Sequence, residues 1–281
     1  MTCYNTGMMN PKQLLEEHGF SPKKSLGQNF ISDPHILEKI VTSSGVTAND
    51  VVIEVGPGTG ALTEPLSQVA RRVVAVELDQ RLQPILEARF ADKPNVSVVY
   101  EDFLTLDLET LTQGEPYIVV ANVPYYITSA IIRHLLESRH QPRSLTLTVQ
   151  LEVAERIVSK PGDMSLLAVS AQFYAKPQYV MRLKAGVFWP RPDVDSAVIR
   201  LDLYDQPPYD VPSPELFFRV AKAGFSQKRK QLKNSLADGL HISHEDATTL
   251  IEAAQIDPRR RPETLTLAEW AALTRQFAQR L

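Results

Sequence analysis

The stretch Val51-Val52-Ile53-Glu54-Val55-Gly56-Pro57-Gly58-Thr59-Gly60 joins an apolar, β-branched run to a glycine-rich loop, and a helical pattern starts near Ala61. A short run of this composition predicts a buried strand. A glycine loop between a strand and a helix lets backbone amides and the helix N-terminus approach a ligand closely. This order predicts a cofactor site at the end of the first strand of an α/β sheet.

The alternation of strand and helix continues as far as Leu151. Four more apolar runs predict strands, with amphipathic segments between them: Val73–Glu77, Val96–Tyr100, Pro116–Ala121 and Leu145–Leu151. This order predicts a doubly wound, mostly parallel sheet with helices on both faces. We expect Leu166–Tyr174 and Ser196–Leu203 to extend the sheet, partly as antiparallel edge strands, because no long helix separates them.

Proline and glycine mark the domain organisation around this sheet. Residues 1–32 form a polar tail, and a helix is predicted from Asp33 and Pro34 to Gly45. The sheet domain covers residues 33–204, and four prolines mark a linker over residues 205–214. Helical spacing over residues 215–281 predicts a small all-α domain with four helices: Glu215–Phe225, Lys228–Ala237, Ser243–Ala254 and Leu267–Arg280.

Composition limits the class of protein. The chain has 281 residues, 43% of them hydrophobic, and a net charge of −3, which suits a soluble globular protein. The single Cys3 excludes a disulfide framework, and His241 with His244 has no cysteine partner, so no metal site is predicted. The chain has neither a membrane-length apolar run nor a signal peptide, and we expect a cytoplasmic protein.

The glycine-rich loop leaves the type of cofactor open. Gly56, Gly58 and Ala61 satisfy the dinucleotide pattern G-x-G-x-x-G/A, and Glu77 lies about twenty residues on, where a ribose-binding acid belongs. A nicotinamide or flavin enzyme is therefore possible.

Acidic residues favour S-adenosylmethionine instead. Glu54 and Thr59 give the acidic, glycine-rich pattern common in methyltransferases that use this cofactor, and Asp102 follows the third strand, where it could accept from an adenine amine. A carboxylate at each strand end suits ribose hydroxyls and a sulfonium cation. The competing interpretation is that Asp79 and Asp102 are helix caps.

The sequence Asn122-Val123-Pro124-Tyr125 follows the predicted fourth strand. The Asn122 side-chain oxygen and the Val123 carbonyl could accept both N–H bonds of an adenine amine, weakening its conjugation with the ring. Pro124 would fix the backbone, and Tyr125 could stack on an extruded base. The competing interpretation is an ordinary proline turn after a strand.

Several motifs agree in order with one known family. They are Gly27–Phe30, Glu54–Gly60, Asn122–Tyr125, Phe188–Val198, Phe225–Lys230 and Arg259–Leu265. With these motifs the chain closely resembles the ribosomal small-subunit RNA adenine dimethyltransferase family over nearly its whole length. The resemblance implies a Rossmann-like class I methyltransferase fold over residues 33–204, with the tail of residues 1–32 contributing to the cofactor site.

The resemblance also implies the reaction and its residues. Two adjacent adenosines near the 3′ end of small-subunit rRNA would become N6,N6-dimethylated, with S-adenosylmethionine as the methyl donor. Cofactor contacts are implied at Asn29, Ile31, Gly56, Glu77, Asp102 and Asn122, and Gly58 joins them through the glycine motif. Phe188 would face Tyr125 across the target base. The expected partner is the small ribosomal subunit, bound by a monomer.

Basic residues are clustered in the predicted helical domain. Six Lys or Arg and no acid lie between Arg219 and Lys233, and Arg259–Arg261 adds three. The predicted RNA-binding residues are Lys228, Arg229, Lys230, Lys233, Arg259, Arg260 and Arg261. With Lys12, Lys23 and Lys24 they could form a basic rim, although such a cluster is also typical of a solvated helix face.

The sequence departs from the family at two places and leaves rival functions open. Relatives often carry Asn at the position of Tyr126, and the segment Ser159–Ser165 is shorter than the usual loop. A methyltransferase of the antibiotic-resistance type, acting on large-subunit rRNA, shares the Asn-x-Pro-Tyr sequence and the cofactor loop. A non-catalytic RNA-binding assembly factor and a dehydrogenase are also compatible with these motifs.

Overall fold

The computed structural model of the protein describes residues 10–227 and 230–281. In these ranges the strands are β1 (Phe30–Ile31), β2 (Val51–Val55), β3 (Arg72–Val76), β4 (Val96–Val99), β5 (Tyr117–Asn122), β6 (Ser144–Gln150), β7 (Ala175–Leu183), β8 (Phe188–Trp189) and β9 (Ser196–Leu203). The α-helices are α1 (Pro11–Glu17), α2 (Pro34–Ser44), α3 (Thr63–Val69), α4 (Gln83–Phe90), α5 (Leu108–Thr112), α6 (Thr128–Glu137), α7 (Leu151–Ile157), α8 (Leu166–Tyr174), α9 (Pro214–Gly224), α10 (Leu232–Leu240), α11 (His244–Ala253) and α12 (Leu267–Ala278).

The main sheet has seven strands in the order β4-β3-β2-β5-β6-β9-β7. Strands β2 to β6 are parallel, and β9 runs antiparallel to β6. Strand β2 pairs with both β3 and β5, so the chain proceeds outward from β2 in one direction and then returns to build the other half. In such sheets ligands bind beyond the carboxyl ends of the strands where the order reverses.

The central strands lie in the core. Every residue of β2 is buried, as are the first five residues of β5. The sequence correctly predicts the five parallel strands to within one residue at each end, because their apolar runs match this two-sided burial. Helix α2 is also confirmed: the Asp33 side chain accepts from the His35 N–H, and Gly45 ends the helix with φ of 66°.

The prediction of a strand over Leu166–Tyr174 is wrong, because this segment is helix α8. The Ser165 hydroxyl caps the helix by accepting from the Ala168 N–H at 3.2 Å. Helix α8 carries apolar side chains on more than one face. Of these, Val169 and Phe173 pack into the core of the helical region. The strand next to β9 is instead β7, which follows α8 directly.

The region before α2 is more ordered than a polar tail. Helix α1 buries Leu14 and Leu15 against Leu86 and its neighbours, and β1 pairs antiparallel with β8. The polar residues around these elements hide the short apolar pattern in the sequence. Residues 10–31 therefore contribute both a helix and a strand.

The chain divides into two compact units. The first contains residues 1–154 and 178–203, and the second contains residues 155–177 and 204–281. The second unit therefore includes a segment that the sequence analysis assigns to the sheet domain. Its helix α12 begins with a capping box, in which Thr266 and Glu269 each bond the other's backbone N–H. None of the helices in the described ranges is long and apolar enough to cross a bilayer.

Candidate active site

The glycine-rich loop after β2 has a backbone that requires glycine. Gly56, Gly58 and Gly60 have φ angles of 70°, 60° and 79°. A β-carbon on Gly58 would lie 2.7 Å from the Phe30 ring, and one on Gly60 would lie 2.7 Å from the Phe90 ring. The loop therefore has a tightly packed backbone, and its residues from Gly56 to Thr59 line a cavity that a ligand could enter.

Glu77 holds the loop from the end of β3. Its carboxylate accepts from the Gly58 N–H at 3.0 Å and from the Asp79 N–H at 2.8 Å. Burial raises the pKa of Glu77, although these two hydrogen bonds oppose the rise. Two carboxylate oxygens can accept about four hydrogen bonds, so Glu77 retains capacity for ribose hydroxyls.

Glu54 is a buried carboxyl in β2, and it lines a cavity together with the glycine-rich loop and Glu77. It is 1% exposed, and burial raises its pKa to about 8. Its Oε2 atom makes no hydrogen bond to any described residue. A buried oxygen without a partner is costly, and a donor group on a bound ligand would relieve that cost.

Asp79 anchors the segment that precedes β1. The carboxylate accepts from Arg81 at 2.6 and 2.8 Å and from the Gln28 side chain at 3.0 Å, and Lys23 lies 3.7 Å away. Hydrogen bonds from Arg81 contribute most to lowering the pKa of Asp79 to about 2. Asp79 therefore acts as a structural anion, and its side chain makes no capping bond.

Asn122 is the last residue of β5, and its amide has a defined orientation. The Nδ2 group donates to the Asn29 carbonyl at 2.7 Å. A carbonyl accepts only, so the nitrogen must face Asn29 and Oδ1 is left to accept. Asn29 is itself held by a bond of 3.0 Å from its Nδ2 to the Gly27 carbonyl.

Tyr125 lies in a 3-10 turn that Pro124 begins, with φ of −60° at the proline. The Tyr125 hydroxyl and the Ser196 hydroxyl are 2.6 Å apart. Burial raises the pKa of Tyr125, so its phenol stays neutral near pH 7. Sequence reasoning missed Ser196, although it belongs to the motif that begins at Phe188.

Phe188 is the second aromatic residue of the predicted base sandwich. It is 4% exposed and packs in the sheet core with Ile31 and Leu183. Strand β8 pairs with β1 so that Phe188 is opposite Ile31. Phe188 is not among the residues that line the cavity beside Tyr125, and its place across a base from Tyr125 stays a prediction.

Asp102 caps a short turn and also lines the cavity. Its Oδ1 accepts from the Leu104 N–H at 3.0 Å and so caps a short 3-10 turn. The side chain is exposed at the cavity. Capping uses one oxygen, and the other can still accept from a ligand.

One cavity brings most of the predicted site residues together. The predicted residues that line it are Asn29, Ile31, Gly56, Gly58, Glu77, Asp102, Asn122, Pro124 and Tyr125. Apolar residues that the sequence analysis did not select also line it: Leu26, Leu37, Leu62, Leu78, Phe103 and Ile127. Leu78 is 47% exposed, and its position directly after Glu77 is the one signal that could have identified it.

The predicted RNA-binding residues differ in whether a carboxylate pairs with them. Lys228 and Arg229 lie outside the described residues. Arg259 pairs with Asp257 at 3.0 Å, and Arg261 lies 3.8 Å from Glu263. Arg260 bonds the Thr264 carbonyl at 2.6 Å and pairs with Glu269. Lys230 and Lys233 make no ion pair with any carboxylate in the described ranges.

The described residues offer no cluster suited to a metal ion. Across residues 10–227 and 230–281, no three His, Cys, Asp or Glu side chains are grouped as a metal site would require. The residues that line the cavity offer hydrogen-bond acceptors, backbone amides and an aromatic ring.

Similar proteins share both the sequence and the fold. The profile of the family described as ribosomal RNA adenine dimethylase matches residues 19–279. A protein of Dehalococcoides mccartyi (strain CBDB1), called ribosomal RNA small subunit methyltransferase A, is 43% identical over 272 residues, which cover 96% of this chain and 94% of the relative. A protein of the same name from Geobacillus thermodenitrificans (strain NG80-2) is 44% identical over 273 residues, covering 94% and 93%.

Two crystal structures have a similar fold. A dimethyladenosine transferase from Plasmodium falciparum has a TM-score of 0.77 at 22% identity, covering 89% of this chain and 98% of that chain. The 23S rRNA methyltransferase ErmE has a TM-score of 0.70 at 27% identity, covering 89% and 100%. The predicted class I methyltransferase fold is confirmed. By the family match and the identity to its relatives, this chain belongs to the ribosomal RNA adenine dimethylase family.

Proposed function

We propose that the protein uses S-adenosylmethionine to dimethylate the N6 amines of two adjacent adenosines near the 3′ end of small-subunit rRNA, as a step in small-subunit biogenesis. The observation that carries the proposal is the amide of Asn122. Its Nδ2 donates to the Asn29 carbonyl, which leaves Oδ1 to accept, and Asn122 lines the same cavity as the glycine loop, Glu77 and Asp102. The relatives named for the small subunit are also more similar in sequence than the 23S rRNA methyltransferase.

S-adenosylmethionine is the cofactor of this methyltransferase family, and the residues present fit it. Gly56 and Gly58 line the cavity with φ angles that favour glycine, so their backbone atoms can contact the cofactor. Glu77 would hold the ribose hydroxyls, and Asp102 would accept from the adenine amine. The unpartnered Glu54 Oε2 suits a nearby ammonium or an ordered water. When bound, the cofactor supplies an activated methyl group on a sulfonium.

Asn122 positions the target amine for transfer. Its Oδ1 accepts one N–H of adenine N6, and the Val123 carbonyl accepts the other, so N6 becomes more pyramidal and its lone pair is less conjugated with the ring. Positive charge develops on N6 during transfer, and these oxygens stabilise it. Holding the amine in line with the methyl group contributes the entropic part of the acceleration.

Tyr125 holds the base while Asn122 holds the amine. The target adenosine must leave its stack to reach the cavity, and a neutral aromatic ring can replace the lost stacking. The hydrogen bond between Tyr125 and Ser196 fixes the ring from behind. Phe188 would face Tyr125 across the base as the second stacking ring.

The second methylation uses the same acceptors with one N–H fewer. After the first transfer a methyl group occupies one of the two hydrogen-bonding directions of N6. The remaining N–H must still find an acceptor, and the first methyl needs apolar space. The apolar lining of the cavity, including Ile127 and Leu26, suits that methyl.

We further propose that Lys230 and Lys233 in the second unit contact rRNA phosphates. Both residues flank the start of α10, and neither is neutralised by a described carboxylate. Arg260 instead stabilises the helical unit, because its backbone carbonyl accepts from the Leu232 N–H at 2.8 Å and its side chain binds Glu269. Lys228 and Arg229 belong to the same proposal from the sequence alone.

A direct comparison of substrates tests the function. Purified protein and labelled S-adenosylmethionine are incubated with unmethylated small-subunit particles and, separately, with protein-free large-subunit RNA. We expect label only in the small-subunit rRNA, with two adjacent N6,N6-dimethyladenosines found by mass spectrometry. Label in the large-subunit RNA would favour the antibiotic-resistance type. Cofactor binding without transfer to either RNA would favour a non-catalytic assembly factor.

A further inference from the structure

Tyr126 is an exposed aromatic residue beside the candidate active site. It follows Tyr125 in the same 3-10 turn and lines the same cavity. It is 56% exposed, more than any other large hydrophobic residue in the described ranges except the terminal Leu281. Its hydroxyl makes no hydrogen bond within those ranges. Neither the cofactor contacts nor the capture of the target base uses this ring.

The surroundings of Tyr126 support its ring from one side. A β-carbon on Gly27 would lie 3.2 Å from the Tyr126 Cδ1 atom, so the ring lies close to the Gly27 backbone. Gly27 has φ of 58°, a conformation that favours glycine and allows this approach. The rest of the ring remains open, which leaves an aromatic surface at the mouth of the cavity.

The chemistry of such a surface matches a nucleotide base. A neutral aromatic ring stacks on any base through its π face, with little need for hydrogen bonds. When a target nucleotide leaves its stack, its neighbour also loses a stacking partner. The neighbouring base is one nucleotide from the target in the RNA. Tyr126 is likewise one residue from Tyr125, the ring that is proposed to receive the target base.

We propose that Tyr126 is the stacking platform for the base that neighbours the target adenosine in the RNA. This inference rests on the proposed function, in which two adjacent adenosines are substrates. A purine neighbour offers the larger stacking area, so the platform favours a pair of adjacent purines. When the second adenosine becomes the target, the base next to it occupies Tyr126 in turn.

Kinetics on small-subunit particles tests the platform. Tyr126→Ala should raise KM roughly 5- to 100-fold, the range expected for the loss of one base–aromatic stack, with a smaller change in kcat. Tyr126→Phe keeps the ring and should stay within about threefold of the wild type. Tyr179→Ala is the matched control, because Tyr179 is 43% exposed in β7 but does not line the cavity. Equal S-adenosylmethionine affinity in all variants verifies folding.

A particle with an abasic neighbour makes the test specific to stacking. Wild-type KM on particles whose neighbouring adenosine is abasic should rise by the same factor as that of Tyr126→Ala on natural particles. Tyr126→Ala should lose nothing more on the abasic particles. Additive losses, or an unchanged KM for Tyr126→Ala while the wild type is active, would overturn the platform alone. A wild type that methylates no small-subunit particle would overturn the proposed function and the platform with it.

Discussion

The two ends of the Asn122 side-chain amide have different roles in this account. Its Nδ2 donates to the Asn29 carbonyl, and this bond prevents the amide from turning its nitrogen toward the substrate. An amide with the opposite orientation would present a donor to a donor at adenine N6. The segment before α2 therefore sets the orientation of the proposed catalytic acceptor as well as lining the cofactor cavity.

Substituting Asn122 separates these two roles. Asn122→Ala should lower kcat by several tens-fold or more while leaving S-adenosylmethionine affinity largely unchanged, because the lost oxygen acts on the amine. Asn122→Asp retains acceptor atoms but, like Asn122→Ala, cannot donate to Asn29, so both variants should weaken the order of residues 27–30, and Asn122→Asp should lose activity through this effect alone. Single-turnover methylation and cofactor titration measure both effects. Full activity of Asn122→Ala would contradict the acceptor role.

Glu54 should make stability depend on pH. Its folded-state pKa is about 8, above the ordinary value of 4.5, so the unfolded chain releases this proton first. Stability due to Glu54 is present below about pH 4.5, declines as pH rises, and is lost above about pH 8. Glu54→Gln should therefore gain stability over the wild type as pH rises, by roughly 2–5 kcal/mol near pH 8. Urea denaturation at several pH values measures the difference, and parallel curves would contradict the burial of an unpaired carboxyl.

The glycine loop offers a test with an internal control. Gly58→Ala places a β-carbon 2.7 Å from the Phe30 ring at a φ of 60°, whereas Gly114→Ala has φ of 72° and no atom within 4 Å. Both substitutions introduce backbone strain of about 1 kcal/mol, but only Gly58→Ala adds a clash beside the cofactor. We expect Gly58→Ala to lower the melting temperature more and to weaken S-adenosylmethionine binding at least tenfold. Equal effects on melting temperature with unchanged binding would exclude this contact.

The strands of the parallel sheet were predictable, and α8 was not. Parallel strands covered on both faces have continuous apolar runs, and β2, β3 and β5 follow that pattern, whereas β4 is partly exposed and β6 alternates Leu or Val with Thr. Leu166–Tyr174 has the same composition but forms a helix, because its apolar side chains are required in the helical core and Ser165 supplies the cap. A short apolar run does not distinguish a buried strand from a buried helix, so tertiary packing decides.

The sequence predicted which residues meet at the cavity better than how they are held. Glycine spacing and strand ends were sufficient to bring Gly56, Glu77 and Asn122 together, because carboxyl ends of parallel strands share one edge. The direction of Phe188 depends on the pairing of β8 with β1, two strands of two residues each. Such short strands leave no periodic pattern in the sequence, so the packing of Phe188 against Ile31 was not predictable from it.

Basic residues are clustered in this protein although its net charge is negative. The net charge of −3 conceals basic residues near the start of α10, where Lys230 and Lys233 have no described ionic partner. The three arginines at 259–261 contribute less free charge than the sequence indicates, because each lies within 4 Å of a carboxylate. Proximity in sequence does not predict which cations are neutralised by the fold.

The salt dependence of RNA binding distinguishes these two sets of cations. Replacing Lys230 and Lys233 together with Ala should reduce the slope of log K against log salt by roughly 1.4–1.8, since each lost phosphate contact removes about 0.7–0.9. Arg260→Ala should change the slope little but lower stability by about 1–3 kcal/mol, because it removes the ion pair with Glu269 and leaves the Thr264 carbonyl without its side-chain donor. Filter binding to small-subunit particles and thermal melting measure the two quantities. An unchanged slope for the Lys230 and Lys233 variant, with a reduced slope for Arg260→Ala, would contradict the proposed phosphate contacts.

Mass spectrometry of rRNA from cells tests the central claim most directly. Cells that lack the protein are complemented with the wild-type gene or with a gene encoding Asn122→Ala, and the 3′ region of their small-subunit rRNA is analysed. The account predicts two adjacent N6,N6-dimethyladenosines with the wild type and largely unmodified adenosines with Asn122→Ala at equal protein levels. Full dimethylation with Asn122→Ala, or no dimethyladenosine at this site with the wild type, would contradict it.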